Sequence, residues 1–393
     1  MKRVYMDHTA GMPVDPRVID AIEPCFEKLY GNPSSLHSFA QEARKGLEEA
    51  REKVARLINA DKREEVVFTS CATESNNWAI RGVAARNQDL GKHVITTSIE
   101  HMSVINVCKY LTRQGFKASF LPVDRQGIVD LEALKKELTD ETIMVSAMYA
   151  NGEIGTIEPI KEISEIVHGK RAYLHVDATA AAGHVPIDVQ RDGVDLLTLS
   201  SNDMYGPRGV GALFVRKGTR LEPLIYGGGQ EYGLRSGTEN LPGIVGMGRA
   251  AELAKDEMES EGRRLSLLRD KFIKGLLDKI PHSFLNGHPT KRLPNNVAVR
   301  FSFIEGESML LNLDMAGVAA SSGSACTAKT LEPSHVLRAT GLKHEEAHGS
   351  LLFTLGRQNT EEEVDYVVGL LPDIVKRLRS MSPLTPRELR ESV

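Results

Sequence analysis

A thiol, an imidazole and two carboxylates stand in this chain where side chains can meet a ligand. Cys326 lies in AASSGSACTAKTLEPSHVL, whose small residues and Gly read as a mobile, exposed loop. A thiol there is open to a partner in a way that a core cysteine is not. His101 follows the apolar run HVITTSI and reads as the end of a strand. A histidine there is either an ordinary structural residue or a ring that stacks on a flat cofactor. Asp177 ends a second apolar run, Tyr173–Val176, and a carboxylate in that setting needs a partner. A protonated pyridine nitrogen would serve, through a charge-assisted hydrogen bond. Asp203 follows a third run, Val194–Leu199, in the string Ser200-Ser201-Asn202-Asp203.

The elements that must hold these residues are set by length and pattern. Apolar runs this short, next to Gly and Pro, suit strands buried on both faces. Ligands of open α/β sheets bind at the carboxyl ends of such strands. Asp177, Ser200, Ser201, Asn202 and Asp203 are therefore expected to face one crevice. Similar runs recur as EVVFTS, HVITTSI, KASFLPVD, TIMVSAMY and GVGALFVRK, with helical stretches between most of them. This alternation predicts a mainly parallel sheet with helices on both faces. Ser38 reads as the N-cap of the helix FAQEARKGLEEAREKVARLINA. After FTS, the turn at Cys71, Ala72 and Thr73 opens into another helix. Its first amides suit a phosphate, although an ordinary strand-to-helix turn reads the same way.

With 393 residues the chain exceeds one typical core. A large domain over 17–261 is expected, with a smaller α+β domain formed by 1–16 together with 262–393. The content of 41% hydrophobic and 26% charged residues is that of a soluble globular protein. The formal net charge of −4 gives no electrostatic reason to expect a nucleic-acid partner. No apolar run is long enough to span a bilayer and MKRVYMDH has no signal-peptide pattern, so the expected site of action is the cytoplasm, without membrane partners. Cys25, Cys71, Cys108 and Cys326 are far apart, which argues against a disulfide framework or a closed zinc site. Cys25 and Cys108 fall in helical stretches and are expected to be buried.

The segments FTSCATESNN, SIEHMSV, NGEIGTIEPI, HVDAT, YGPRGVGAL, GGGQEYGLRSGTEN, EGESMLLNL and SSGSACT resemble, in order and over nearly the whole chain, the class V aminotransferase-like cysteine desulfurases of iron–sulfur cluster assembly. The resemblance implies a homodimer of PLP fold type I, with a mainly parallel seven-stranded sheet. It implies removal of sulfur from L-cysteine as a persulfide on a loop cysteine, and delivery of that sulfur to a scaffold protein. Carried over by residue, Ala72, Thr73 and Ser200 match contacts to the cofactor phosphate, and Ser201 and Asn202 lie in the same stretch. Thr238 matches a phosphate contact reaching in from the other subunit. His101 matches the stacking ring, Asp177 the partner of the pyridine nitrogen, and Cys326 the persulfide cysteine.

Four positions depart from the family pattern. Asp203 stands where the family has the lysine that links covalently to PLP, and a carboxylate has no amine with which to do so. Gly152 stands where the family has an asparagine on the PLP phenolic oxygen, and Ala180 where it has a glutamine. Leu352 stands where it has the arginine that clamps the substrate carboxylate. These losses act on one transition state, which predicts impaired desulfurase activity. Cys326 would then deliver sulfur obtained elsewhere, for example from sulfide with a two-electron oxidant, or lend its thiolate as a shared [2Fe–2S] ligand. The alternative is an active desulfurase holding PLP non-covalently, with Asp203 as base.

Overall fold

The computed structural model describes residues 3–322 and 333–387. Its centre is a seven-stranded sheet. Across the sheet the order is Val66–Thr69, Gly211–Val215, Leu196–Ser200, Tyr173–Asp177, Thr142–Met148, His93–Thr97 and Lys117–Leu121. Gly211–Val215 runs antiparallel to both of its neighbours, and the remaining pairs are parallel. All residues of Val66–Thr69, His93–Thr97, Thr142–Met148 and Leu196–Ser200 are buried, so these strands read as unbroken apolar or small-residue runs. The fold is thus the α/β class expected for the PLP fold type I.

Helices cover the sheet. Ala72–Asn87 and Met102–Arg113 pack as a pair, with Trp78, Ile80, Val104 and Leu111 in one apolar cluster. Ser38–Leu57 lays Ala43, Leu47, Ala50 and Val54 against the long helix Leu241–Lys279 at a helical spacing. The cap of Ser38–Leu57 is His37, whose Nδ1 accepts the amide of Ala40 at 3.2 Å, and not Ser38 as the pattern suggests. A ring nitrogen here does what a hydroxyl one residue later is expected to do.

A second apolar cluster lies around the antiparallel strands Ser283–Leu285, Asn296–Phe301 and Ser350–Thr354. The helices Gly306–Met315 and Glu361–Met381 cover it. Val4–Tyr5 pairs with Val318–Ala319, which brings the start of the chain to this cluster. Leu241–Lys279 serves both cores. Its Leu241, Ile244, Met247 and Leu253 belong to the first, and its Leu265, Phe272 and Leu276 to the second. No helix among the described residues is long and apolar enough to cross a membrane.

Candidate active site

Strand register assembles the site. Met148 is paired with Asp177, and Asp177 with Thr198, so the carboxyl ends of three adjacent strands are level. Above them opens a cavity of about 460 Å³. Asp177, Ser200, Asn202 and Asp203 line it, together with Ala72, Thr73, His101, Gly152, Ala180 and Leu352.

Asp177 is held on both oxygens. Thr179 donates its amide and its hydroxyl to Oδ1 at 3.0 and 2.6 Å, and Asn76 donates to Oδ2 at 2.7 Å. Asn76, wholly buried on the helix that starts at Ala72, also donates to Ser103 Oγ at 2.9 Å. That hydroxyl in turn donates to His101 Nδ1 at 2.8 Å, and the Ser103 amide donates to the same nitrogen at 3.2 Å. With Nδ1 occupied as an acceptor, the neutral ring carries its proton on Nε2. One chain of bonds therefore runs from the carboxylate to the imidazole. Neither Asn76 nor Ser103 stands out in the sequence, although Asn76 carries a signal: an amide on the sheet-facing side of a helix. His101 is also placed differently from the strand end expected of it. The strand stops at Thr97, and His101 is the exposed N-cap of Met102–Arg113.

The turn after Leu196–Ser200 is a single 3₁₀ turn, Asn202–Met204. It directs Asn202 and Asp203 into the cavity, but Ser201 is not among the lining residues. Ser201 is wholly buried, and a Cβ at Gly206 would lie 2.1 Å from its Oγ. The amides of Met204 and Gly206 both return to the Ser201 carbonyl, at 3.1 and 3.0 Å, so this residue is the floor of the turn. The expectation that Ser201 shares the crevice with its polar neighbours fails, because a tight turn must point one of them inward.

Asp203 is 9% exposed, and its Oδ2 accepts from the Asn202 side-chain Nδ2 at 3.0 Å. Burial, reinforced by the charge of Asp177, pushes its carboxyl up to about 7. Burial acts the same way on other acids of the lining. It raises Asp7 to about 6 and Glu153 to about 7, and holds Glu100 well above the usual carboxylate range. Glu100 Oε1 accepts from Thr97 and Met148, while its buried Oε2 has no partner among the described residues. Nothing in the sequence pattern marks either of these glutamates. Among the described residues no lysine or arginine lines the cavity.

The remaining candidates divide. Gly152 is brought in by Asn151, whose Oδ1 accepts the amides of Glu153 and Ile154 at 2.9 and 3.0 Å. Leu352, in the strand Ser350–Thr354, is 4% exposed and presents an apolar wall. Cys71 is exposed and also lines the cavity, whereas Cys25 and Cys108 are buried. Thr238 is exposed and not part of this chain's cavity lining. Cys326 lies outside the described residues. Among the described residues no group of three or more His, Cys, Asp or Glu is arranged to hold a metal ion.

The model of the class V aminotransferases matches residues 4–367. A cysteine desulfurase of Archaeoglobus fulgidus is 60% identical over 383 residues, covering 98% of this chain and all of that protein. The chain belongs to the cysteine desulfurase family. A desulfurase of Methanosarcina thermophila is 52% identical and covers 99% of this chain and 96% of its own length. Among solved structures, a NifS-like protein aligns with a TM-score of 0.90 at 39% identity, over 96% of this chain and 100% of that one. SspA, solved in complex with cysteine, aligns with a TM-score of 0.80 at 33% identity, over 90% of this chain and 98% of that one. The family is PLP-dependent, and part of the cavity fits that cofactor. Asp177 is a buried carboxylate with its lone pairs fixed, His101 is a ring at the rim, and the amides of Ala72 and Thr73 begin a 16-residue helix. Among the described residues, the lining offers no lysine amine.

Proposed function

We propose that this chain serves iron–sulfur cluster assembly by carrying sulfur, or a thiolate ligand for a [2Fe–2S] cluster, on Cys326 to a scaffold protein, with its own L-cysteine desulfurase activity impaired. The observation that carries the impairment is the acidic lining: Asp203 where the family lysine is expected, Leu352 where the carboxylate clamp is expected, and no lysine or arginine in the described wall. In this reading Asp177 holds the ring-nitrogen proton, His101 covers a ring face, and Ala72, Thr73 and Ser200 take the phosphate. PLP would supply an electron sink at the substrate carbon. Gly152 and Ala180 leave its phenolic oxygen without the amides that the family provides. We read two lobes, 17–261 and 1–16 with 262–393, in a cytoplasmic homodimer whose Thr238 completes the other subunit's phosphate site.

A second reading has its own support: an active desulfurase with non-covalent PLP. Asp177, His101 and the helix start at Ala72 stay available to the cofactor, and a carboxyl raised to about 7 is matched to general-base work near neutral pH. The high identity to proteins named cysteine desulfurases favours it too. One assay separates the two. The purified chain is incubated with PLP and L-cysteine, alanine is quantified, and a parallel sample is treated with borohydride. Impairment predicts no alanine above a no-enzyme control and no fixed cofactor in the cavity. Sustained alanine formation by the unaltered chain establishes the second reading instead.

A further inference from the structure

The carboxyl of Asp203 raises a question of ligand form. A pyridoxal-type cofactor exists as an aldehyde and as an amine, and the two differ at one substituent. The aldehyde presents an acceptor oxygen. The amine, pyridoxamine 5′-phosphate, presents an ammonium group. We propose that this cavity selects the amine form over the aldehyde, with Asp203 as the partner of the aminomethyl group. The proposal rests on the reading of the cavity as a cofactor site with Asp203 in the place of the lysine.

Charge matching argues for it. Asp177 ends one strand and Asp203 lies just past its paired neighbour, with Asp177 opposite Thr198. Both side chains line the same cavity, and both are at least nine-tenths buried. A single ring-nitrogen proton satisfies the first and leaves the second facing an aldehyde oxygen, acceptor against acceptor. Burying an ionised carboxylate without a cation is costly. The amine form brings two cationic groups to two carboxylates, and its phosphate goes to the helix that begins at Ala72. In enzymes that hold the aldehyde covalently, the protein contributes the nitrogen. Here the ligand would contribute it, and the protein the counter-charge. The rest of the wall agrees. Glu100 and Glu153 add carboxyl groups, no lysine or arginine stands among the described lining residues to compete for Asp203, and Leu352 adds no donor.

The test is equilibrium binding to the cofactor-free, full-length chain, read by calorimetry at pH 8. The probes are pyridoxamine 5′-phosphate, PLP and 4′-deoxypyridoxine 5′-phosphate, which keeps the ring and phosphate but has a methyl in place of the aminomethyl group. The unaltered chain should bind the amine roughly 10- to 100-fold more tightly than the deoxy compound, the range of one charge-assisted hydrogen bond. PLP should be no tighter than the deoxy compound once borohydride-fixed adducts on surface lysines are subtracted. Asp203→Asn should bring the ratio near one by weakening the amine alone. Lowering the pH from 8 to 6 should shrink it in the unaltered chain, because a protonated Asp203 no longer offers an anion to the ammonium group. Equal binding of the amine and the deoxy compound, or a preference that survives in Asp203→Asn, overturns the proposal. Tighter binding of PLP through a borohydride-fixed bond in the cavity overturns it together with the reading of Asp203. If none of the three probes binds, the cofactor site itself is wrong. Should Asp203→Asn fail to fold, the comparison of probes in the unaltered chain still decides.

Discussion

Two halves of one cavity differ in how completely their polar groups are connected. On one side Asp177, Asn76, Ser103 and His101 form an unbroken hydrogen-bond chain, and Thr179 closes both contacts to Asp177 Oδ1. On the other side are Asp203, Gly152, Ala180 and Leu352: an acid pushed toward neutrality, two positions too small to reach a ligand, and an apolar wall. A connected network fixes geometry before a ligand arrives. A side without donors cannot do so, however well the backbone is placed. One cavity of this family's fold thus pairs a connected polar side with a side poor in donors.

The contrast can be broken deliberately. The largest effect is expected from rebuilding the altered side. Asp203→Lys with Leu352→Arg should raise kcat/KM for alanine release from L-cysteine by roughly 100- to 10,000-fold over Leu352→Arg alone, the range of a restored acid–base group, and by roughly 10- to 100-fold over Asp203→Lys alone, the range of a charge-assisted clamp. If Asp203→Lys alone matches the double variant, the role given to Leu352 is wrong.

Next comes stability against pH. A folded pKa of about 7 against an ordinary 3.8 means that the folded chain holds this proton more tightly than the unfolded one. Stability from the protonated form is fully present below about pH 4 and is lost as pH rises through 7. Asp203→Asn should therefore unfold at higher denaturant concentration than the unaltered chain. Its advantage should grow between pH 4 and 7 toward a ceiling of about 4 kcal/mol and stay level above that. An advantage independent of pH would mean that Asp203 is not the titrating group.

A smaller effect tests the connected side. Asp177→Ala should weaken PLP binding by roughly 10- to 100-fold, measured by calorimetry, with little change for ligands that lack the ring nitrogen. The smallest belongs to the middle of the network. Ser103→Ala removes the hydroxyl between Asn76 and His101 and should cost about 1 kcal/mol in denaturant unfolding. Cofactor affinity should fall only a few-fold, and a loss as large as that of Asp177→Ala would make the histidine, not the carboxylate, the main anchor.

The strand ends are legible in the sequence because buried parallel strands are short apolar runs, and the residues just past each run must sit above the sheet. Asp177, Ser200, Asn202 and Asp203 are recognisable on that ground. Ser201 is not, because side-chain direction inside a 3₁₀ turn depends on the close approach of Gly206, which no periodicity reports. Asn76, Ser103, Thr179 and Glu100 escape because their importance lies in contacts between segments far apart in the chain. His37 displaces Ser38 as a cap because a ring nitrogen is a less familiar acceptor there, although its reach to Ala40 is ordinary. Thr238 marks another limit, since the partner expected for it belongs to a second chain.

The helix Leu241–Lys279 has 39 residues, about 58 Å of unbroken backbone, and its two ends are embedded in different cores. A member fixed at both ends behaves as an axle. Swinging one core against the other would require bending it, at the cost of its own hydrogen bonds. The distance from Leu352 on Ser350–Thr354 to Asp177 on Tyr173–Asp177 is thereby set at folding, and whatever enters between them is gauged against a fixed aperture.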